Sequence, residues 1–218
     1  MKYSKAITLT LLYFISLEIL SLWIIIIPFG IGNLNLYKAS HLINSIALLI
    51  FIVLFFKKIE HSNLLVLNKT KLKFYLFAIL LGIGFVFFQS VLKIIYYQEI
   101  SPDFFSYRFT LNRLKTYDAV ASIMIVPIIE ELFFRNYLQG ALAKNYKPIK
   151  TILFASLLFA FIHIPFATLF FDSLDFSLRS AFIALFGGFI AGILYYKSKS
   201  IGPSIIFHVF WNLTSYIV

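Results

Sequence analysis

The sequence contains no cysteine among its 218 residues. Disulfide-bonded scaffolds, thiolate metal sites and catalytic thiols are therefore excluded. Charged residues are also scarce: they make up 13% of the chain, roughly half of the share that is usual in soluble domains. Hydrophobic residues make up 61%, and the mean hydropathy is +0.92. This composition is typical of an integral membrane protein.

The long apolar runs predict an all-α fold, in which about seven transmembrane helices form a single domain over residues 1–218. The predicted spans cover residues 6–30, 41–56, 74–97, 118–138, 148–165, 178–196 and 203–218. The second and the last are short, which predicts tilted or partly re-entrant helices. A further apolar run, residues 164–171, is a candidate for an eighth, half-inserted segment.

Basic residues alternate between the two ends of these spans. Twelve lysines fall in the N-terminus and in every second connection, whereas the other connections carry fewer basic residues, mixed with acidic ones. The twelve are Lys2, Lys5, Lys57, Lys58, Lys69, Lys71, Lys73, Lys144, Lys147, Lys150, Lys197 and Lys199. The positive-inside rule then predicts a multi-pass protein of the cell membrane with a cytoplasmic N-terminus and an odd number of spans. Because topology explains the net charge of +10, nucleic acid is not a predicted partner.

Three charged residues lie inside the fourth apolar run, in the stretch VPIIEELFFRNYLQG. Each charge near the centre of a bilayer costs about 2.5–3.5 kcal/mol on insertion scales, so these side chains need partners. Glu131 and Arg135 are four residues apart and share a helix face, which predicts an ion pair. Glu130 points about 100° away from Glu131 and is left as the acid available for chemistry. Pro127, three residues before Glu130, predicts a kink in the helix, because proline removes a backbone hydrogen bond.

Two further apolar runs carry polar residues at helical spacing. Phe159 and His163 are four residues apart near the end of the fifth run, and His208 and Asn212 share a face of the last run. A carboxylate and imidazoles that converge in a water-filled pocket can deprotonate water, hold a metal ion or relay protons.

Taken in order, these three motifs resemble those of the CPBP family, the CAAX-protease and bacteriocin-processing intramembrane endopeptidases, also called the Abi family. The motifs are Glu130-Glu131-x-x-x-Arg135, Phe159-x-x-x-His163 and His208-x-x-x-Asn212. The resemblance covers residues 118–218, and the first 117 residues carry no signal specific to the family.

The resemblance implies hydrolysis of a peptide bond in a membrane-associated peptide or protein, within or beside the lipid bilayer. Glu130 and His163 would hold and deprotonate a water molecule. His208 and Asn212 would donate hydrogen bonds to the oxyanion. Glu131 and Arg135 would orient the site. The substrate stays open between prenylated CAAX proteins, leader peptides and tails of membrane proteins, although a composition rich in Lys, Ile, Phe and Asn is more typical of bacteria and disfavours the first.

A metal ion is left open by the sequence. Glu130, His163 and His208 could ligate zinc or another divalent metal. However, the chain lacks the His-Glu-x-x-His pair that would make a metal the first expectation. A metal-free mechanism that depends on glutamate fits at least as well.

Each motif also has a structural interpretation. The two glutamates could face water at a helix end, and Arg135 could have a purely structural role, either snorkelling to the interface or bracing Glu131. His163 could be an interfacial histidine, while His208 and Asn212 could link helices by hydrogen bonds. His41 and His61 fall near span ends and match no motif, which predicts interfacial positions.

Two other classes of function use the same residue types. A proton-coupled transporter would use the carboxylates and imidazoles as a relay, but the inverted repeats expected of such a protein are not visible in the sequence. A non-catalytic immunity or scaffolding protein would not need every motif position to be filled. All are filled here, which favours catalysis. The sequence leaves the oligomeric state open.

Overall fold

The computed structural model describes residues 1–26, 34–59, 68–165, 168 and 174–218. Over these residues the chain is helical and contains no strand, which confirms the predicted all-α fold. The long helices are α1 (Tyr3–Ile26), α2 (Leu34–Ile59), α3 (Leu72–Tyr97), α7 (Pro148–Phe161), α8 (Leu174–Ser198) and α9 (Gly202–Ile217). Short 3₁₀ turns at Pro102–Phe105 and Asn112–Lys115 follow α3.

The remaining helical segment, residues 117–142, carries the double glutamate and is called the motif helix. It is built from α4 (Tyr117–Val120), a π-helical turn (Ala121–Ile125), α5 (Val126–Glu131), a longer π-helical stretch (Leu132–Gln139) and α6 (Gly140–Leu142). Pro127 lies in the first turn of α5, directly after the first π turn. The helix type changes just before this proline and the helix continues through it, while the predicted kink stays a prediction.

Four of the described helices are long and apolar enough to cross a membrane, namely α1, α2, α3 and α8. The predicted count of about seven spans stays a prediction, because α7 and α9 are shorter and the motif helix is irregular. The prediction of a short second span was wrong, since α2 extends over 26 residues. The last helix has 16 residues and is short, as predicted. His61 and most of the candidate half-inserted segment, residues 164–171, lie outside the described residues.

Two apolar clusters hold the helices together. In the first, α3 packs along α9 so closely that a Cβ atom on Gly82 would lie 2.6 Å from the backbone oxygen of Phe207. A glycine at this position lets the two backbones approach each other. In the second cluster, buried side chains of the motif helix, such as Phe133 and Phe134, pack against Tyr13 of α1 and Leu48 of α2. The N-terminal helices therefore cover the helix that carries the charges.

Backbone contacts bring the lysine-rich connections to one end of the bundle. The N-terminal amine donates to the backbone oxygen of Ala141 at 3.1 Å, beside the connection before α7. Asn68, in the connection before α3, donates to the backbone oxygen of Lys199 at 2.8 Å. These contacts pair the N-terminus with the connection before α7, and the connection before α3 with the connection before α9.

The other connections meet at the opposite end. The hydroxyl of Tyr97, at the end of α3, donates to Asp175, at the start of α8, at 2.8 Å. The backbone N–H of Thr110 donates to the oxygen of Ile217, at the end of α9, at 2.8 Å. The two ends of the bundle thus differ in charge as the sequence pattern requires, while the side of the membrane that each end faces remains a prediction.

Single cysteines test this orientation, because the chain has no cysteine of its own. Lys144, Lys197 and Arg113 are all exposed, the first two at the lysine-rich end and the third at the opposite end. We expect a membrane-impermeant maleimide to modify cysteines at 144 and 197 only from the cytoplasmic side, and a cysteine at 113 only from outside. Modification of positions 144 and 113 from the same side would contradict the topology.

Candidate active site

The predicted ion pair in the motif helix is present. The Nε atom of Arg135 donates to Oε2 of Glu131 at 3.1 Å, and both residues are fully buried. One helical turn separates them, so the pairing follows from local spacing. Because breaking a buried pair leaves an uncompensated charge, each of these side chains depends on the other.

His208 of α9 joins both glutamates. Its Nδ1 lies 3.1 Å from Oε1 of Glu131, and its Nε2 lies 3.7 Å from Oε2 of Glu130. Since an ionised carboxylate only accepts hydrogen bonds, the partner indicates a proton on Nδ1. The sequence suggested that Glu130 has no partner. In the structure it lies beside the imidazole of His208, which Glu131 orients. The structure brings Glu130, Glu131, Arg135 and His208 together in a buried cluster.

His163 lies at the C-terminal end of α7. Its Nδ1 is 2.8 Å from the backbone oxygen of Phe159, so this nitrogen donates and Nε2 is left as the acceptor in the neutral ring. The ring of Phe159 has its centroid 4.8 Å from that of His163 and 5.8 Å from that of His208. It also lies 5.1 Å from the guanidinium carbon of Arg135. Phe159 thus packs against His163, His208 and Arg135 at the same time.

Asn212 is held by the motif helix. Its side-chain Nδ2 donates to the backbone oxygen of Ser122 at 2.7 Å, within the first π turn. His208 lies one turn earlier on α9, and the ring of Trp211 stacks on it at 5.2 Å. One N–H of the Asn212 amide is therefore engaged in fixing α9, and a role as an oxyanion donor would use the other.

A polar network near this site was not predicted. His41 of α2 bonds to one carboxylate oxygen of Asp118 at 2.5 Å, and the hydroxyl of Tyr216 donates to the other. Tyr216 also contacts the hydroxyl of Ser122 at 3.1 Å. His41, predicted to be interfacial, is exposed and also joins α2 to the motif helix. The sequence held no signal for this contact, because 77 residues separate the two partners.

Gln139 is a second residue that the motifs did not single out. It lies one turn after Arg135, is 2% exposed, and donates from Nε2 to the backbone oxygen of Gly192 at 2.9 Å. The only sequence signal was its spacing of four residues from Arg135 within an apolar run.

The sequence left open a metal ion bound by Glu130, His163 and His208. In the part of the chain that the structure describes, no three His, Asp or Glu side chains are grouped so that they could hold a metal ion. Nδ1 of His208 and Nδ1 of His163 are both engaged by protein oxygens. A metal-ligating histidine commonly donates its other ring N–H in this way, so Nε2 of both rings is still available to a metal ion held by Glu130, His163 and His208.

Comparison with known proteins identifies one family. A family model described as type II CAAX prenyl endopeptidase Rce1-like matches residues 112–214, a little under half of the chain. The matched region contains all three motifs and confirms the resemblance to the CPBP family. No curated protein and no solved structure matches the chain. At a coarse level, the chain is a membrane protein related to a family of peptidases.

Proposed function

We propose that this protein is an intramembrane endopeptidase, which hydrolyses a peptide bond in a membrane-associated peptide or protein. The observation that carries the proposal is the buried contact chain from Arg135 through Glu131 and His208 to Glu130. Four buried ionisable groups in an apolar helical bundle are energetically costly, so their presence indicates a functional site. The Rce1-like match to the same segment supports peptide hydrolysis as that function.

In the proposed mechanism, Glu130 acts as the general base. It holds a water molecule with Nε2 of His163, takes one proton from it, and the resulting hydroxide attacks the carbonyl carbon of the peptide bond. The same proton then passes from Glu130 to the leaving nitrogen as the carbon–nitrogen bond breaks. The atoms and charges balance without any further reactant.

His208 and Asn212 stabilise the oxyanion of the tetrahedral intermediate. As an imidazolium, His208 donates its Nδ1 proton to Glu131 and presents its Nε2 proton on the side of Glu130. The free N–H of Asn212 supplies the second donor. Loss of one such donor typically costs about 2.7–4 kcal/mol of transition-state stabilisation. Glu131 and Arg135 touch no reacting atom in this scheme and act by orienting His208.

The proposed mechanism uses only side chains of the chain. The proposed substrate is a peptide segment that reaches the site from the membrane. The matching family is that of the CAAX prenyl endopeptidases, and a prenylated C-terminus is one member of this substrate class. Leader peptides and tails of membrane proteins are the others.

The test is cleavage by purified protein in lipid vesicles that contain a pool of membrane-anchored peptides, in ¹⁸O-labelled water. We expect new C-termini that carry one ¹⁸O atom, since hydrolysis adds one oxygen from the solvent to the carbonyl carbon. A scaffolding or immunity protein would give no products. A proton relay would acidify the vesicle lumen under an imposed potential without any new C-terminus.

A further inference from the structure

The guanidinium of Arg135 is only partly satisfied by the described residues. Its Nε donates to Glu131, but Nη1 and Nη2 have no hydrogen-bond partner there, although the side chain is fully buried. Contact with the face of Phe159 offsets part of this deficit. Buried donors without a partner are rare, because each costs about 1–3 kcal/mol and more when charged.

A buried acceptor without a partner lies one turn further along the same helix. Gln139 uses its Nε2 to donate to Gly192, but its Oε1 has no partner among the described residues. Unsatisfied donors and an unsatisfied acceptor thus occur on one face of the motif helix, four residues apart. Arg135 thus has spare hydrogen-bond donors, and Gln139 has a spare acceptor.

Helix α8 presents a glycine opposite each of these two side chains, Gly188 opposite Arg135 and Gly192 opposite Gln139. A Cβ atom at Gly188 would lie 3.1 Å from Nη2 of Arg135 and 3.0 Å from the ring of Phe159. A Cβ atom at Gly192, one turn along, would lie 2.9 Å from Oε1 of Gln139. Side chains at these positions would therefore press on the two unsatisfied groups.

We propose that internal water bridges the guanidinium of Arg135 and Oε1 of Gln139, and that Gln139 is a positioning residue for the cluster of charges. A buried water needs two to four polar partners, typically about three. Nη1 and Nη2 of Arg135 and Oε1 of Gln139 supply three. The hydroxyl of Ser156, fully buried near Gly188, can accept a fourth bond while it donates to the backbone of Ile152.

The bridge fixes the guanidinium from the side that Glu131 does not reach. Arg135 then holds Glu131, and Glu131 orients His208. Gln139 acts on His208 only through these groups, so it is not itself catalytic. This positioning effect rests on the proposed peptidase function, whereas the bridge itself does not.

Two variants of Gln139 separate the bridge from the tie to Gly192. Gln139→Met removes both the donor and the acceptor in a side chain of similar size. Gln139→Glu also lacks the donor to Gly192, but it keeps oxygen acceptors facing Arg135. We expect Gln139→Met to lower the thermal unfolding midpoint in detergent by several degrees, and Gln139→Glu to retain most of the wild-type value. Equal losses in the two variants would overturn the bridge, because the tie to Gly192 is lost in both.

Glycine variants test by a second route whether the guanidinium of Arg135 is held in place. Gly188→Ala should lower the unfolding midpoint, since the added methyl group meets Arg135 and Phe159. Gly84→Ala is the matched control, because a Cβ atom there has nothing within 4 Å. An unchanged midpoint in Gly188→Ala would mean that Arg135 and Phe159 move aside at no cost, which would contradict a guanidinium held in place by the bridge.

Cleavage kinetics test the positioning role. We expect Gln139→Met to reduce kcat about ten- to a hundredfold, the effect of losing a hydrogen bond to a charged group, with KM nearly unchanged. Gln139→Glu should recover most of that loss. Wild-type kcat in Gln139→Met would overturn the positioning role. If the wild-type protein cleaves no peptide, the proposed function fails, and the unfolding measurements still decide whether the bridge exists.

Discussion

Replacing Glu130 by glutamine is expected to abolish peptide cleavage and to leave the protein folded. The amide has nearly the same size as the carboxylate but cannot take a proton from water. A general base contributes roughly 10²–10⁴ in rate, so cleavage should fall by at least that factor. Glu130 is 8% exposed, and its closest ionic partner is Nε2 of His208 at 3.7 Å. Since this contact is longer than a hydrogen bond, its loss should change the unfolding midpoint little.

The measurement is cleavage of one peptide by wild type and Glu130→Gln at a matched folded fraction in vesicles. The control is Glu99→Gln, an exposed carboxylate in the connection after α3, which should cleave as wild type does. Equal cleavage by wild type and Glu130→Gln would remove Glu130 from the role of base. A biological phenotype that survives Glu130→Gln would instead favour an immunity or scaffolding protein.

Replacing Arg135 by alanine is expected to cost both stability and activity. The substitution leaves Glu131 fully buried without its counter-charge. Breaking a buried pair in this way typically costs about 3–5 kcal/mol, which is a large part of the stability of an ordinary domain. Activity should fall further, because Glu131 is then no longer fixed by Arg135 and no longer orients the ring of His208.

A double substitution separates the two effects. In Glu131→Leu/Arg135→Met no uncompensated carboxylate remains at this pair, so we expect it to unfold at a higher temperature than Arg135→Ala and still to lack activity. Lys144→Ala, at an exposed cation, is the control and should match wild type in both measurements. Wild-type stability in Arg135→Ala would show that the pair contributes little to folding.

Local sequence signals predicted the parts of the site that depend on neighbouring residues. The pair between Glu131 and Arg135 follows from a spacing of four residues on a helix, and it is present. The proline in the motif helix predicted a kink, which stays a prediction, although a π turn directly precedes it. Helix ends were predicted less accurately: α2 begins several residues before the predicted span. Apolar patterns do not mark the residues at which a helix begins and ends.

Long-range contacts could not be predicted in the same way. The hydrogen bond between His208 and Glu131 joins residues 77 positions apart, and that between Asn212 and Ser122 joins residues 90 apart. The family resemblance implied that His208 binds the oxyanion, but it did not indicate that Glu131 contacts this ring. The contact of His41 with Asp118 was missed for the same reason.

The sequence by itself determined that this is an all-helical membrane protein, which residues carry charge inside it, and which of them pair along one helix. These properties follow from composition and from a period of 3.6 residues, both of which are local. Only the tertiary structure decided that α9 brings His208 between the two glutamates and that Gln139 faces a glycine surface of α8. Those contacts depend on how closely separate helices approach. That approach is set by small residues such as Gly188 and Gly192 on a different helix, far from the motif helix along the chain.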